Sequence, residues 1–336
     1  MRKTIALAAK TVLSFASLLT SYAPILFLAS LLTSYAARAE SFKVAIPQQG
    51  VWDTNIAVWG TQQGYFKDQG LDIDITYTQG GATTEQAVIS GSVDFAMATG
   101  TLGIISAYAK GAPIRIISAE QTGSPDIFWY ARKESGIRSL RDAHGKTVSF
   151  SAPGSSSNLV LLQLLDEAGI TDAKTVPTGG IPGTLTQVMS GQIDIGWGAP
   201  PAPLPDIQDG KLVIVAHAND SPQVRGETIR VNVVNLAVLE AHRDAVIRFA
   251  KAYQKSLDTM YSDPKAVDFY AEQNKISRDL ALAAKSQFYV KSAVQPYEIK
   301  GLQHVLDDAY TAKRIDHPMT PDDVKGLIDI VWKPGP

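Results

Sequence analysis

Residue types able to do covalent or metal chemistry are sparse in this chain. It has no cysteine, which removes thiolate metal sites, iron–sulfur clusters, disulfides and cysteine nucleophiles together. Its five histidines (His144, His217, His242, His304 and His317) are scattered, with no pair at metal-ligand spacing. No serine sits in a Gly-x-Ser-x-Gly elbow. His144-Gly145-Lys146-Thr147 imitates the end of a phosphate loop, but Leu140 stands where its first glycine is required and a strand pattern follows. We therefore expect no catalytic residue, no metal and no cofactor. The remaining chemistry is non-covalent: hydroxyls, backbone amides and aromatic faces. Five short segments concentrate it. Gln48–Asn55 holds Gln48 and Trp52; Gln79–Thr84 holds Gly81 and Thr83; Thr99–Thr101 holds Thr99 and, beside it, Gly100. Ser151–Asn158 holds Ser151, Ser155, Ser156 and Ser157, and Trp197–Pro201 begins with the second tryptophan, Trp197. Each residue also has a plainer reading, helix caps for the serines and core packing for the tryptophans. Their joint placement is what suggests a binding site.

These segments fall between elements that alternate in type. Phe42–Pro47, Leu71–Tyr77, Val93–Ala98, Ile114–Ala119, Lys146–Ser151 and Ile193–Trp197 read as strands, with Leu71–Tyr77 strictly of period two. Ile56–Gln63, Ala82–Ser90, Thr101–Lys110 and Ser157–Ala168 read as helices between them. Such alternation predicts an α/β fold of largely parallel sheets covered on both faces. The pattern also repeats. Gly80, Val88, Ser90-Gly91 and Val93-Asp94 recur 100 residues later as Gly180, Val188, Ser190-Gly191 and Ile193-Asp194, which implies two lobes on one plan. From about His242 the pattern becomes consecutive amphipathic helices: Arg243–Tyr261, Pro264–Asn274, Arg278–Tyr289, Tyr297–Ala312 and Asp322–Trp332. They are expected to pack outside the first lobe.

In open α/β sheets a ligand lies beyond the carboxyl ends of the strands, where loops run into helix N-termini. Those ends offer unpaired N–H groups and partial positive charge, so an anion can bind there without a cationic side chain. The five segments contain no Lys or Arg and only Asp53 as an acid, which favours a singly charged or neutral polar ligand. Arg132, Arg225 and Arg230 lie outside them and would alter this if they reached in.

Composition fixes the setting. Of 336 residues, 45% are apolar and 19% charged, ordinary for a globular protein of about two domains. There is no basic excess to hold a phosphate backbone, so nucleic acid is not an expected partner. Residues 1–39 read as a signal peptide: Arg2, Lys3 and Lys10, an uncharged stretch from Thr11 to Ala37, then Ala37-Arg38-Ala39 as a cleavage site. The remainder carries 27 basic and 33 acidic residues. A tandem ASLLTSYA at Ala16–Ala23 and Ala29–Ala36 lengthens the apolar stretch enough to span a bilayer, so an uncleaved anchor is the alternative; Pro24 and the cleavage site favour removal. The rest of the chain has no comparable apolar run, and a monomeric exported protein is expected.

Taken together these segments resemble the periplasmic solute-binding proteins of ABC importers, in the sulfonate/nitrate/taurine and NMT1/THI5-like group. The resemblance rests on QQGVWDTNIAVWGTQQGYFKDQGLDIDI, GGATTEQAVISGSVDFAMATG, VSFSAPGSSSN, GQIDIGWGAP and the helical C-terminal region, and covers residues 41–332. It implies a type II clamshell crossed twice by the chain, near Ile127–Ala131 and again near Thr228–Val234. Residues 40–129 would form the first part of lobe I, 130–230 lobe II, and 231–336 the rest of lobe I. It implies as partners a small-molecule ligand (a sulfonate, nitrate, carboxylate or pyrimidine), a membrane permease and its separate ATPase. Relatives of this fold include enzymes that rely on essential cysteines or histidines, so a periplasmic enzyme is one alternative. A sensor signalling to a membrane partner is another.

Overall fold

The structure, a computed structural model, describes residues 39–334, and those from Ser41 onward form one compact unit. The expected signal peptide and its cleavage site lie almost wholly outside the described residues. Among the described residues no helix is long and apolar enough to cross a membrane.

The chain first lays down β1 (Glu40–Pro47), α1 (Ile56–Gln62), β2 (Leu71–Thr78), α2 (Gly81–Ile89), β3 (Phe95–Gly100), α3 (Thr101–Ala109) and β4 (Ile114–Thr122). It then crosses into β5 (Phe128–Arg132), β6 (Thr147–Phe150), α4 (Ser156–Glu167), β7 (Lys174–Pro177), α5 (Ile181–Met189), β8 (Ile195–Gly198), α6 (Leu204–Gln208), β9 (Leu212–His217) and α7 (Pro222–Gly226). It returns through β10 (Thr228–Asn235) and ends in α8 (Leu236–Ala241), α9 (Arg243–Ser262), α10 (Lys265–Asn274), α11 (Arg278–Phe288) and α12 (Leu302–Thr311). Two five-stranded sheets result, ordered β2-β1-β3-β10-β4 in lobe I and β7-β6-β8-β5-β9 in lobe II. The fold is α/β in two lobes, as the alternation implied.

The sheets are mixed rather than largely parallel. β1 pairs with β3, and β6 with β7 and β8, in parallel, but β10 runs antiparallel to β3 and β4, and β5 antiparallel to β8 and β9. Both exceptions are crossing strands. Each enters its sheet from the other lobe and so runs against the βα strands beside it, a direction that apolar periodicity does not record. β3 and β10 are buried along their whole length, as suits central strands. In β2 Leu71 and Ile73 are buried while Asp72 and Asp74 face out, the two-residue period of a half-covered strand.

The 100-residue repeat is physical. In α2 the Thr84 hydroxyl donates to the Gly80 carbonyl and meets Thr78 Oγ1 at 2.6 Å; in α5 Thr184 does the same to Gly180 and meets Thr178 at 2.7 Å. Asp94 accepts from the Lys43 amide and Asp194 from the Thr147 amide, tying the loop before β3 to β1 and the loop before β8 to β6.

The C-terminal helices mostly cover lobe I. α9 buries Phe249, Tyr253 and Leu257, one helical turn apart, and Phe249 stacks on Phe95 with centroids 4.1 Å apart. They also reach lobe II, where Phe288 packs on Phe128 and the Tyr289 hydroxyl donates to the Pro200 carbonyl. The expected helix Asp322–Trp332 is only a short turn at Lys325–Leu327. Ile328 instead bridges Ile116, and the Asp329 and Val331 amides donate to Ile116 and Ile117, so this segment runs beside β4. Its Ile-Asp-Ile-Val run is β-branched at three of four positions, which favours an extended backbone.

Candidate functional site

A cleft opens where the carboxyl ends of β1, β3, β6 and β8 meet. It encloses ≈ 410 Å³, continuous with solvent at its mouth. Three helix N-termini stand around it, those of α2, α4 and α5, and Gly81, Ser156 and Ile181 at their first turns all line it. Each is at least nine residues long, so each brings unpaired N–H groups and partial positive charge to the cleft.

Of the candidate residues, Gln48, Gly81, Ser151, Ser155, Ser156, Ser157 and Trp197 line the cleft. The serines form one network. Ser155 caps α4 by accepting from the Asn158 amide and lies 3.1 Å from Ser157 Oγ; Ser157 accepts from the Ser151 amide and donates to Ser151 Oγ at 3.1 Å. The capping role and the cleft-lining role are therefore held by the same side chains. Gln48 lies between the lobes: Nε2 donates to the Gln79 carbonyl, and Oε1 accepts from the Ile181 amide at 3.4 Å. It holds a left-handed backbone, φ 54°, which swings its side chain toward lobe II. Trp197 is 4% exposed, its amide is tied to Ser149, and its indole Nε1 has no hydrogen-bond partner.

Trp52, Thr83, Thr99 and Gly100 are not among the lining residues. Trp52 is fully buried in an aromatic group, edge-on to Tyr270 (5.1 Å) and Tyr261 (6.0 Å), with Lys285 Nζ 5.0 Å from its ring centre. It packs as core. Thr83 is exposed, and its neighbour Thr84 is the buried one. Thr99 is buried with its hydroxyl donating to the Val231 carbonyl, which leaves it nothing to offer a ligand. Gly100 abuts lobe II, where a Cβ would lie 2.8 Å from the Ser156 amide nitrogen.

The loop-based expectation of a cleft without a cation needs correction. Arg230, on β10, lines it together with Asp126 and Thr54. Arg132 pairs with exposed Glu134, and Arg225 donates to the Asn219 carbonyl, both outside the cleft. Arg230 is held by three of its five donors: Nη1 donates to Asp53 and to Gln121, and Nη2 donates to Asp126 at 2.7 Å. Asp126 in turn accepts from Gln121 Nε2 and the Ser124 hydroxyl. Burial works against the guanidinium charge, but Asp126 and Asp53 more than offset it and hold Arg230 above its usual range. Burial pushes Asp53 up to about 6, with Arg230 opposing. Fully buried Glu120 is driven well above the usual carboxylate range, first by burial and then by Asp53. The floor of the cleft thus holds one cation matched by two carboxylates, with no surplus positive charge. A buried pair of this kind is costly to break, since removing one partner strands the other at about 3–5 kcal/mol. The sequence did carry a signal: Arg230 is the lone charge in the otherwise uncharged strand TIRVNVVN.

Known proteins share this fold. A search of curated protein sequences returned no match. Among solved structures, the alkanesulfonate-binding protein SsuA from Xanthomonas axonopodis pv. citri bound to MOPS is 18% identical, covering 87% of this chain and 99% of its own, with TM-score 0.75. The periplasmic nitrate-binding protein NrtA from Synechocystis PCC 6803 is 13% identical, covering 86% of each chain, with TM-score 0.72. The periplasmic aliphatic sulphonate binding protein SsuA from Escherichia coli is 16% identical, covering 86% and 97%, with TM-score 0.68. At these identities the likeness is one of fold, and that fold is the periplasmic-binding-protein clamshell. The family model described as NMT1/THI5 like matches residues 54–267, well over half of the chain and including both crossings, so the chain belongs to the NMT1/THI5-like family.

Proposed function

We propose that this chain is the extracytoplasmic solute-binding component of an ABC-type importer, acting in the periplasm as a carrier and not as a catalyst. The observation that carries this is the cleft between two βα lobes, lined by helix N-termini, serine side chains and Trp197. These groups recognise an acceptor-rich solute and offer no nucleophile–base pair: the serines bond to one another and to backbone amides, and no histidine lines the cleft. The leader-like N-terminus and the sulfonate- and nitrate-binding proteins that share the fold support the same reading.

The ligand class follows from charge. Arg230 is already matched by Asp53 and Asp126, so a doubly charged anion would meet no free countercharge. A singly charged sulfonate or carboxylate, or a neutral pyrimidine, would set its acceptors on the lobe II donors and its carbon skeleton against Val51, Pro47 and the Trp197 ring. Closure would be a hinge population shift driven by better contacts in the closed state, and a permease with its own ATPase would receive the closed complex.

The test is a thermal-shift screen over sulfonates, nitrate, bicarbonate, aromatic carboxylates, pyrimidines and flavins. A true solute at 100 times its Kd adds about 2.7 kcal/mol of stability. A monoanion or pyrimidine hit recovered unchanged supports the proposal. A screen without hits, or a hit converted into product, overturns it.

A further inference from the structure

At one point of their seam the two lobes meet through bare backbone. Gly100, the last residue of β3, faces the loop that leads into α4 of lobe II. A Cβ at Gly100 would lie 2.8 Å from the Ser156 amide nitrogen, 2.9 Å from the Gly154 carbonyl oxygen and 3.0 Å from the Ser155 carbonyl carbon. All three obstacles are main-chain atoms of the opposite lobe, which cannot swing aside as a side chain would. One turn into α3, a Cβ at Gly103 would meet the same Gly154 oxygen at 2.9 Å, and a Cβ at Gly154 would meet Gly103 Cα at 3.3 Å.

Backbone conformation does not explain Gly100. Its φ of −66° and ψ of 126° are ordinary extended values open to any residue. Nor does the cavity, since Gly100 is not among its lining residues. The three nearest atoms that a methyl group would meet all belong to lobe II.

We infer that Gly100, with Gly154 facing it, sets how far the clamshell closes: the missing side chain lets the α3 and α4 N-termini approach to backbone contact. This rests on the two-lobe binding role proposed above and adds to it a positioning residue that touches no ligand. Gly100→Ala should leave each lobe intact and exclude the shut form by inserting a methyl group into the seam. Shut and open forms are in equilibrium, so a steric block on one removes its share of the population.

The absence of cysteine makes the test direct. Exposed Lys67 in lobe I and Lys174 in lobe II are replaced by cysteine, labelled with a donor–acceptor dye pair, and inter-lobe distance is read by single-molecule energy transfer without ligand. We expect the parent to show a short-distance population, and Gly100→Ala to reduce it at least tenfold with a melting temperature within about 3 °C of the parent. Gly183→Ala is the control: its Cβ would meet only Thr178 O, at 3.8 Å and within lobe II, so it should keep the parental distribution. If Gly100→Ala fails to fold, the double variant Gly103→Ala/Glu85→Ala, which removes the Glu85 obstacle inside lobe I and keeps the Gly154 carbonyl in the way, should lose the short-distance population instead. An unchanged short-distance population in the folded variant, or its absence from the parent, overturns the inference. Because no ligand is used, a failed solute screen leaves this result standing, and the reverse also holds.

Discussion

Trp197 and Trp52 both fall in loop-bordering segments of the sequence, and the structure gives them opposite work. Trp197 lines the cleft; Trp52 fills the space among Tyr261, Tyr270 and Lys285, and the indole nitrogen of each is buried without a partner. Trp197→Phe keeps an aromatic face and deletes only the N–H, so affinity for the solute found in the screen should fall about tenfold, one hydrogen bond's worth, with the melting temperature unchanged. Trp52→Ala should cost about 3–5 kcal/mol in chemical denaturation through the cavity it leaves. If Trp197→Phe binds as the parent does, its indole is not a ligand contact. The glycine and serine candidates were legible because backbone approach and hydroxyl donors are local properties. Arg230 could be named only as a residue able to reach in, because its strand comes from outside the five segments, and its pairing with Asp53 was not readable because the two lie 177 residues apart.

Elements carry the hinge. The Gly123 amide donates to the Glu227 carbonyl, and the Ser124 amide to Asn219, so the two crossing segments lie side by side. Glu227 sits between α7 and β10, buried, with His304 Nδ1 3.5 Å from its carboxylate. Burial first, then Asp308 and Glu167, push its pKa up to about 8, with nearby Gln223 opposing. Burial likewise raises Asp53 to about 6, Glu85 to about 7 and Asp308 to about 6. In each the folded state holds a proton that the unfolded chain releases, so the associated stability is complete below about pH 4 and is lost as pH climbs toward 8. The melting temperature should therefore fall from pH 5.5 to pH 8.5, and Glu227→Gln should lessen the fall above pH 6, the remainder belonging to Glu85 and Glu120. A parental slope surviving in that variant would assign the titration elsewhere. Strand and helix positions were readable from apolar period, whereas β7 and β9 were not singled out: β7 is a short, mostly exposed edge strand, and Leu212–His217 is an apolar run without helix spacing.

At the scale of the whole molecule, two lobes on one plan could be read from an offset of 100 residues, but strand direction could not, because it depends on which lobe the chain is coming from. That route also sets an order of events. β10, which separates β3 from β4 in the lobe I sheet, is made only after all of lobe II. Residues 40–130 alone hold β3 and β4 with nothing between them, two unpaired edges where a central strand belongs. That fragment should show no protected amides in hydrogen exchange, while a fragment reaching through α9 should show them; a protected short fragment would contradict this. A growing chain built in this way cannot lock its first half until some 235 residues have been made. In a chain exported as proposed above, that order would keep the first half threadable for most of its synthesis, and interleaved topology would delay folding without any dedicated brake.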